Sequence, residues 1–142
     1  MPEISFYILP GVSLQDRHLF ACRLIERAYR DRQFCYVYTD NHQQSLQLDN
    51  HLWTFKPGSF IPHQILEKKP PAFEQSILIG TRSAPDKWQN IIVNLSSHFP
   101  ENISQADRIL EILDNNEEIK QAGRVRYKQY QQAGLNISTH TL

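Results

Sequence analysis

The side chains that could perform acid–base, nucleophilic or metal chemistry are scattered along this 142-residue sequence. Neither of its two cysteines belongs to a CxxC pair, and no serine lies in the GxSxG turn that exposes a nucleophile after a strand. The six histidines lack HxxxH and HxH spacing; they are His18, His42, His51, His63, His98 and His140. The sequence therefore predicts no catalytic residue and no metal site. We expect His63 to hydrogen-bond nearby backbone.

The spacing of the glycines indicates whether the chain has a phosphate-binding loop. All five are isolated, so neither GxGxxG nor GxxxxGK[ST] is present. The turn PGVSLQD could leave the amides of a helix start free for an anion, but a single glycine does not build a phosphate cradle. We expect no nucleotide cofactor. A small nucleotide-dependent α/β enzyme with a degenerate phosphate loop is the alternative function.

One candidate contact surface is the stretch HLWTFKPGSFIPH, residues 51–63. Its three aromatic residues, Trp53, Phe55 and Phe60, flank a Pro57-Gly58 turn, so at least one of them should face solvent. The residue types fit a satellite core beneath a loop. They also fit a protein-binding surface, because exposed aromatics beside rigid prolines are typical of binding hot spots.

The second candidate is the last helix, EEIKQAGRVRYKQYQQAG. At about 100° per residue, one stripe forms a cationic ridge of Lys120, Arg124, Tyr127 and Gln131, with Lys128 beside it. Ile119, Ala122, Tyr130 and Ala133 form the face expected to turn inward, and Arg126 also falls there without an evident partner. The ridge fits either a solvated face or a site for an acidic peptide or terminal carboxylate.

The elements that must position these surfaces alternate between strand and helix. Apolar and aromatic runs predict strands at 4–9, 34–39, 76–80 and 91–95, while helical spacing predicts helices at 13–32, 40–53 and 115–132. The pattern at 107–114 fits a helix or a strand, and we favour a strand. Buried strands joined by long crossovers indicate an α/β fold with a mainly parallel sheet. We expect one domain over residues 1–142, with TRSAPDKWQN as a surface loop and Gly134 ending the last helix.

Charge and hydropathy limit the partners. Fifteen basic residues balance fifteen acidic ones, so a direct single-strand DNA binder is disfavoured. There is no basic leader and no apolar run near the roughly twenty residues that cross a bilayer. We expect a cytoplasmic protein without a membrane segment, whose cysteines are reduced packing residues.

Five segments together resemble the chi subunit family of bacterial DNA polymerase III. They are FYIL at 6–9, CRLIERAYRDRQFCYVY at 22–38, LDNHLWTFKPGSFIPH at 48–63, IIVNL at 91–95 and RVRYKQYQQAG at 124–134. The resemblance implies a three-layer α/β/α, Rossmann-like fold without a nucleotide-binding loop. It also implies a noncatalytic adaptor of the clamp-loader complex, without cofactor, that contacts DNA only indirectly.

The partners implied by this resemblance are the psi subunit, the acidic C-terminal tail of single-stranded-DNA-binding protein and, in some members, a DNA-repair helicase. The family motifs match an aromatic surface for psi at Trp53, Phe60, Pro62 and His63. They match a tail-binding patch at Arg124, Tyr127, Lys128 and Leu113. Val125 stands where the family often has an acidic residue, which should make the cationic ridge more basic.

Overall fold

Short runs of apolar residues form the strands in the computed structural model, which describes residues 2–101 and 103–142. The strands are β1 (Glu3–Ile8), β2 (Tyr36–Tyr38), β3 (His63–Ile65), β4 (Ile77–Gly80), β5 (Ile91–Asn94), β6 (Arg108–Leu113) and β7 (Asn136–Thr141). The helices are α1 (Leu14–Arg30), α2 (His42–Thr54) and α3 (Glu117–Gln132), and short 3-10 helices cover Asp86–Trp88 and Ile103–Gln105.

All seven strands belong to one parallel sheet in the order β3-β4-β2-β5-β6-β1-β7. Alternate strand residues face opposite layers. Val37, Val93 and Ile112 pack with α1 and α2, whereas Tyr36 and Ile109 lie in the opposite core with Tyr130 of α3. The predicted three-layer α/β/α fold is confirmed.

Side-chain caps set where the helices begin. Ser13 Oγ accepts the Asp16 amide at 3.2 Å, and Asn41 Oδ1 accepts the Gln44 amide at 2.8 Å. Asn116 Oδ1 accepts two amides of the first turn of α3, at 3.0 and 3.2 Å. Such caps satisfy amides that have no partner inside the helix. Gly134, at φ +77°, follows the end of α3 as predicted.

The structure differs from the sequence prediction in four places. β3 and β7 were not predicted, since both are edge strands without a continuous apolar run. The surface-loop prediction for TRSAPDKWQN is wrong at Trp88, which is buried and donates its indole N–H to the Ser76 carbonyl at 2.8 Å. Ala133 is exposed rather than turned inward, because it caps the end of α3.

Two further features bear on the sequence predictions. Cys22 and Cys35 are free and buried, and burial raises the pKa of each thiol to about 12. Their expected packing role is therefore confirmed. Among residues 2–101 and 103–142, no helix has the length and apolar character needed to cross a membrane.

Candidate partner-binding surfaces

The aromatic surface lies where α2 ends and the chain approaches β3. Trp53, in the last turn of α2, is 58% exposed, and Phe60 is 81% exposed. Phe55 instead packs partly buried against the core that includes Leu48 and Leu52. Phe55 therefore serves the core, whereas Trp53 and Phe60 face solvent, as expected for at least one of the three aromatics.

His63 supports the exposed indole. The Trp53 and His63 rings are 4.7 Å apart at their centroids, inclined by 58°. His63 Nδ1 lies 2.7 Å from the Ile61 carbonyl oxygen, and Nε2 lies 3.0 Å from Asp49 Oδ1. The predicted bond to nearby backbone is confirmed. Within the described residues Nε2 makes no hydrogen bond, so the Nδ1 contact with backbone and the burial of the side chain are what hold the imidazole against Trp53.

Contacts with Glu26 of α1 hold the loop that carries Phe60. Glu26 Oε2 accepts a hydrogen bond from Ser59 Oγ at 2.9 Å and lies 3.4 Å from Lys56 Nζ. Gly58 adopts φ +77°, which favours glycine. Half-buried Pro62 accepts the Ile77 amide at 2.8 Å, which ties the segment to the sheet edge. A groove of about 260 Å³ lies beside Phe60.

The cationic ridge lies on the outer side of α3. Arg124, Tyr127 and Lys128 line a shallow groove of about 360 Å³ together with Gln121, Val125 and Gln131. The Tyr127 ring packs on Phe6 at a centroid distance of 5.4 Å. Arg124 Nη1 donates to Gln121 Oε1 at 3.4 Å. Within the described chain, neither Arg124 nor Lys128 has a carboxylate closer than 4.0 Å, so their charges are available to a partner.

Leu113 is not among the residues that line this groove. It is 5% exposed, at the end of β6, and packs beneath Gly123 of α3. Arg124, Tyr127 and Lys128 are therefore brought together at the surface, while Leu113 lies under the helix that carries them.

A buried ion pair fixes α3 on the sheet. The Arg126 guanidinium donates to both oxygens of Glu111 at 3.0–3.1 Å, and both side chains are buried. Glu111 also accepts hydrogen bonds from Tyr130 Oη at 2.6 Å and Asn94 Nδ2 at 3.0 Å. Burial, with the Glu111 carboxylate adding to it, raises the pKa of Tyr130. The inward direction of Arg126 is confirmed, and its missing partner is Glu111.

The sequence holds one signal that could have identified this partner. Glu111 is the single acidic residue inside the buried strand RILEIL. A carboxylate at such a position requires a counter-charge or a proton, and the inward-facing arginine of the next helix supplies the counter-charge.

The family model for "DNA polymerase III chi subunit, HolC" matches residues 1–138. The chain belongs to this family. It is 28% identical to the DNA polymerase III subunit chi of Pseudomonas aeruginosa over 142 residues, which cover 100% of this chain and 98% of the relative. Identity to the subunit chi of Haemophilus influenzae is 26%, covering 97% of this chain and 96% of the relative. For Escherichia coli it is 22%, with 99% of each chain covered.

In this chi-family chain the two surfaces lie on opposite faces of the sheet. The aromatic surface follows α2, which packs on one face, whereas the cationic ridge belongs to α3 on the other. A partner on one surface would therefore leave the other accessible. The family resemblance drawn from the five sequence segments is confirmed, and membership supports a role in DNA replication.

Proposed function

We propose that this chain is a noncatalytic adaptor of DNA polymerase III. Its aromatic surface would bind the psi subunit of the clamp-loader complex, and its cationic ridge would bind the C-terminal tail of single-stranded-DNA-binding protein. The observation that carries the proposal is the presence of two exposed surfaces of different chemistry on opposite faces of one sheet. The adaptor would act at the replication fork in the cytoplasm and contact DNA only indirectly.

The chemistry of the aromatic surface suits an apolar protein segment. Trp53 and Phe60 would lose most of their water-exposed area on binding, and a buried tryptophan is a common hot-spot residue. His63 packs on Trp53, and the Pro62 carbonyl ties the segment that follows Phe60 to the sheet edge, so less ordering is required on binding. A DNA-repair helicase is a second candidate for this same surface.

The chemistry of the cationic ridge suits an acidic peptide. Arg124 would engage a terminal carboxylate or an acidic side chain with its planar fork, and Lys128 would add a second positive charge. Tyr127, already held against Phe6, would offer a ring face to an apolar residue of the tail. Leu113 would contribute from beneath, by supporting the helix at Gly123.

A modest affinity of the cationic ridge for the tail would suffice, because the chain would bind psi at the same time. Once psi holds the chain at the clamp loader, tail binding becomes a local event with a raised effective concentration. Many tails displayed on coated single-stranded DNA would then retain the polymerase near the strand.

Reciprocal substitutions test the two surfaces separately by calorimetry with a tail peptide and with psi. Arg124→Glu should abolish tail binding and leave psi binding intact, because it reverses a charge in the groove. Arg23→Glu, at an exposed position of α1, is the matched charge control. Unchanged tail affinity in Arg124→Glu would contradict the assignment of the ridge.

Trp53→Ala should weaken psi binding by at least tenfold, as expected for the loss of a hot-spot aromatic, and leave tail binding intact. Leu46→Ala is the matched control, since Leu46 is also an exposed apolar residue of α2. Wild-type affinity of the Trp53→Ala variant for psi would refute the assignment of the aromatic surface.

A further inference from the structure

A small cavity lies apart from both surfaces, where two helices from opposite faces meet the sheet. Its volume is about 190 Å³, and its lining includes Arg17 of α1, Arg126 of α3 and Ser96, just beyond β5. Ser97, Asp40, which closely follows β2, and Glu118, in the first turn of α3, also line it. We call this the arginine cavity.

Arg17 is a buried cation held by two backbone carbonyls. It is 4% exposed; its Nε donates to the Ile112 carbonyl at 2.8 Å and its Nη2 to the Leu95 carbonyl at 3.1 Å. Across residues 2–101 and 103–142, no carboxylate oxygen comes within 4.0 Å of its guanidinium. Burial lowers the pKa of Arg17, although nearby acidic groups oppose this. A buried charge held only by neutral acceptors is costly.

Arg126 brings a second incompletely bonded guanidinium to the same cavity. Its Nε and Nη2 donate to Glu111, but its buried Nη1 has no hydrogen-bond partner in the described part of the chain. The residue is 2% exposed, so bulk water does not readily replace that partner. Two buried guanidiniums therefore line one small space, and each has bonding capacity that the described protein does not use.

The neighbouring carboxylates are already engaged. Glu111 accepts from Arg126, Tyr130 and Asn94. Asp40 Oδ1 accepts the amide and the hydroxyl of Ser97, each at 2.8 Å. Asp114 Oδ1 accepts the Asn116 amide at 2.9 Å. Glu118 belongs to the lining but is solvent-exposed, so its charge is screened. None of these acids makes an ion pair with Arg17.

Position and size define the ligand that would fit. Ligands of parallel α/β folds bind at the carboxyl ends of the strands, where connections leave toward opposite faces. Residues 95–97, which follow β5, form such a place here together with residues of α1 and α3. The volume of about 190 Å³ equals roughly six waters at about 30 Å³ each, and it is smaller than pockets for drug-sized molecules. A small anion fits, and a nucleotide does not.

We propose that the arginine cavity binds a small oxyanion, with Arg17 supplying a positive charge that nearby acids offset only at a distance and Arg126 supplying a second donor. A planar carboxylate or a tetrahedral phosphate would both match guanidinium forks. This proposal is independent of psi and tail binding, because the cavity lining contains neither Arg124 nor Trp53.

The test uses the full chain in thermal unfolding, with sodium phosphate, sodium malonate or sodium chloride at equal ionic strength. Phosphate or malonate should raise the midpoint by several degrees beyond chloride and should saturate, as binding to the native state requires. A response confined to phosphate identifies a phosphate-type ligand, and one confined to malonate identifies a carboxylate. Equal midpoints in all three salts would overturn the proposal.

Arg17→Met should abolish the anion-specific rise, whereas Arg23→Met, which removes an exposed arginine from the same helix, should retain it. A wild-type response in Arg17→Met would overturn the assignment. If that variant does not fold, the ¹⁵Nε resonance of Arg17 is followed in the wild-type chain during a phosphate and a malonate titration. A saturable shift absent with chloride supports the proposal, and no shift refutes it.

Discussion

Acid should destabilise this fold through one buried histidine. His18 is completely buried between α1 and α2, where its Nδ1 lies 3.3 Å from His51 Nδ1 and its Nε2 lies 3.5 Å from Gln44 Nε2. Burial lowers the pKa of His18 to about 4, and positive charge on His51 and Arg17 acts in the same direction. The folded protein therefore keeps this imidazole neutral over most of the acidic range.

The direction of the pH dependence follows from the two states. The unfolded chain binds a proton at His18 as the pH falls through about 6.5, whereas the folded chain binds it only near pH 4. The free energy of unfolding is thus unaffected by this group at pH 7, decreases as the pH falls from about 6.5 to about 4, and levels off below that. At about 1.4 kcal/mol per pH unit, the loss is about 3 kcal/mol.

Urea denaturation at several pH values between 7 and 4 measures this loss. His18→Gln removes the titrating group, so between pH 7 and pH 4 it should lose about 3 kcal/mol less stability than the wild type. The readout is the pH slope, so a change in absolute stability caused by the substitution does not interfere. His42→Gln, at an exposed position in α2, is the control and should follow the wild type. Identical slopes in the wild type and His18→Gln would refute the reasoning.

Two further substitutions test how α3 is seated. Gly123→Ala should destabilise the protein by about 1–2 kcal/mol, because the new Cβ would overlap Leu113. The cost of this overlap should exceed the gain in helix propensity, which is about 1 kcal/mol. At Gly11→Ala the new Cβ would meet no described atom within 4 Å apart from the chain neighbours. That variant should therefore lose less stability in the same urea titration, and equal losses would argue against the overlap. Glu111→Gln should cost about 3–5 kcal/mol in thermal unfolding by leaving its arginine partner buried without a counter-charge. Glu117→Gln, at an exposed position of α3, should cost little, and a small loss in Glu111→Gln would show that the buried charge is compensated otherwise.

The sequence predicts the central strands and fails at the edges, for a physical reason. Strands covered on both faces need continuous apolar runs, and β4 and β5 show them. β3 is a three-residue edge strand, and β7 is mostly exposed, so neither carries that signal. Their pairing depends on backbone hydrogen bonds to a neighbour already in place, which a local pattern cannot reveal.

The sequence likewise predicts some features of the candidate surfaces and misses others. Helical periodicity correctly separates outward Arg124 from inward Arg126, because that direction depends only on the position along α3. The partial burial of Phe55 and the exposure of Phe60 depend on how the segment after α2 folds, which helical spacing does not describe. The approach of Arg17 to the arginine cavity depends on two helices from opposite layers, so residue spacing gives no indication of it.

The ion pair between Glu111 and Arg126 connects the fold to the proposed function through the rotation of α3. Arg124 and Arg126 are two residues apart, so a rotation that exposed the second would carry the first toward the sheet. A buried ion pair adds little net stability compared with apolar residues, but it strongly penalises arrangements that leave either charge unpaired. With Tyr130 also bonded to Glu111, that penalty favours one rotation of the helix. The cationic ridge is then directed outward by a requirement inside the core, and Arg126 remains beside the arginine cavity for the same reason.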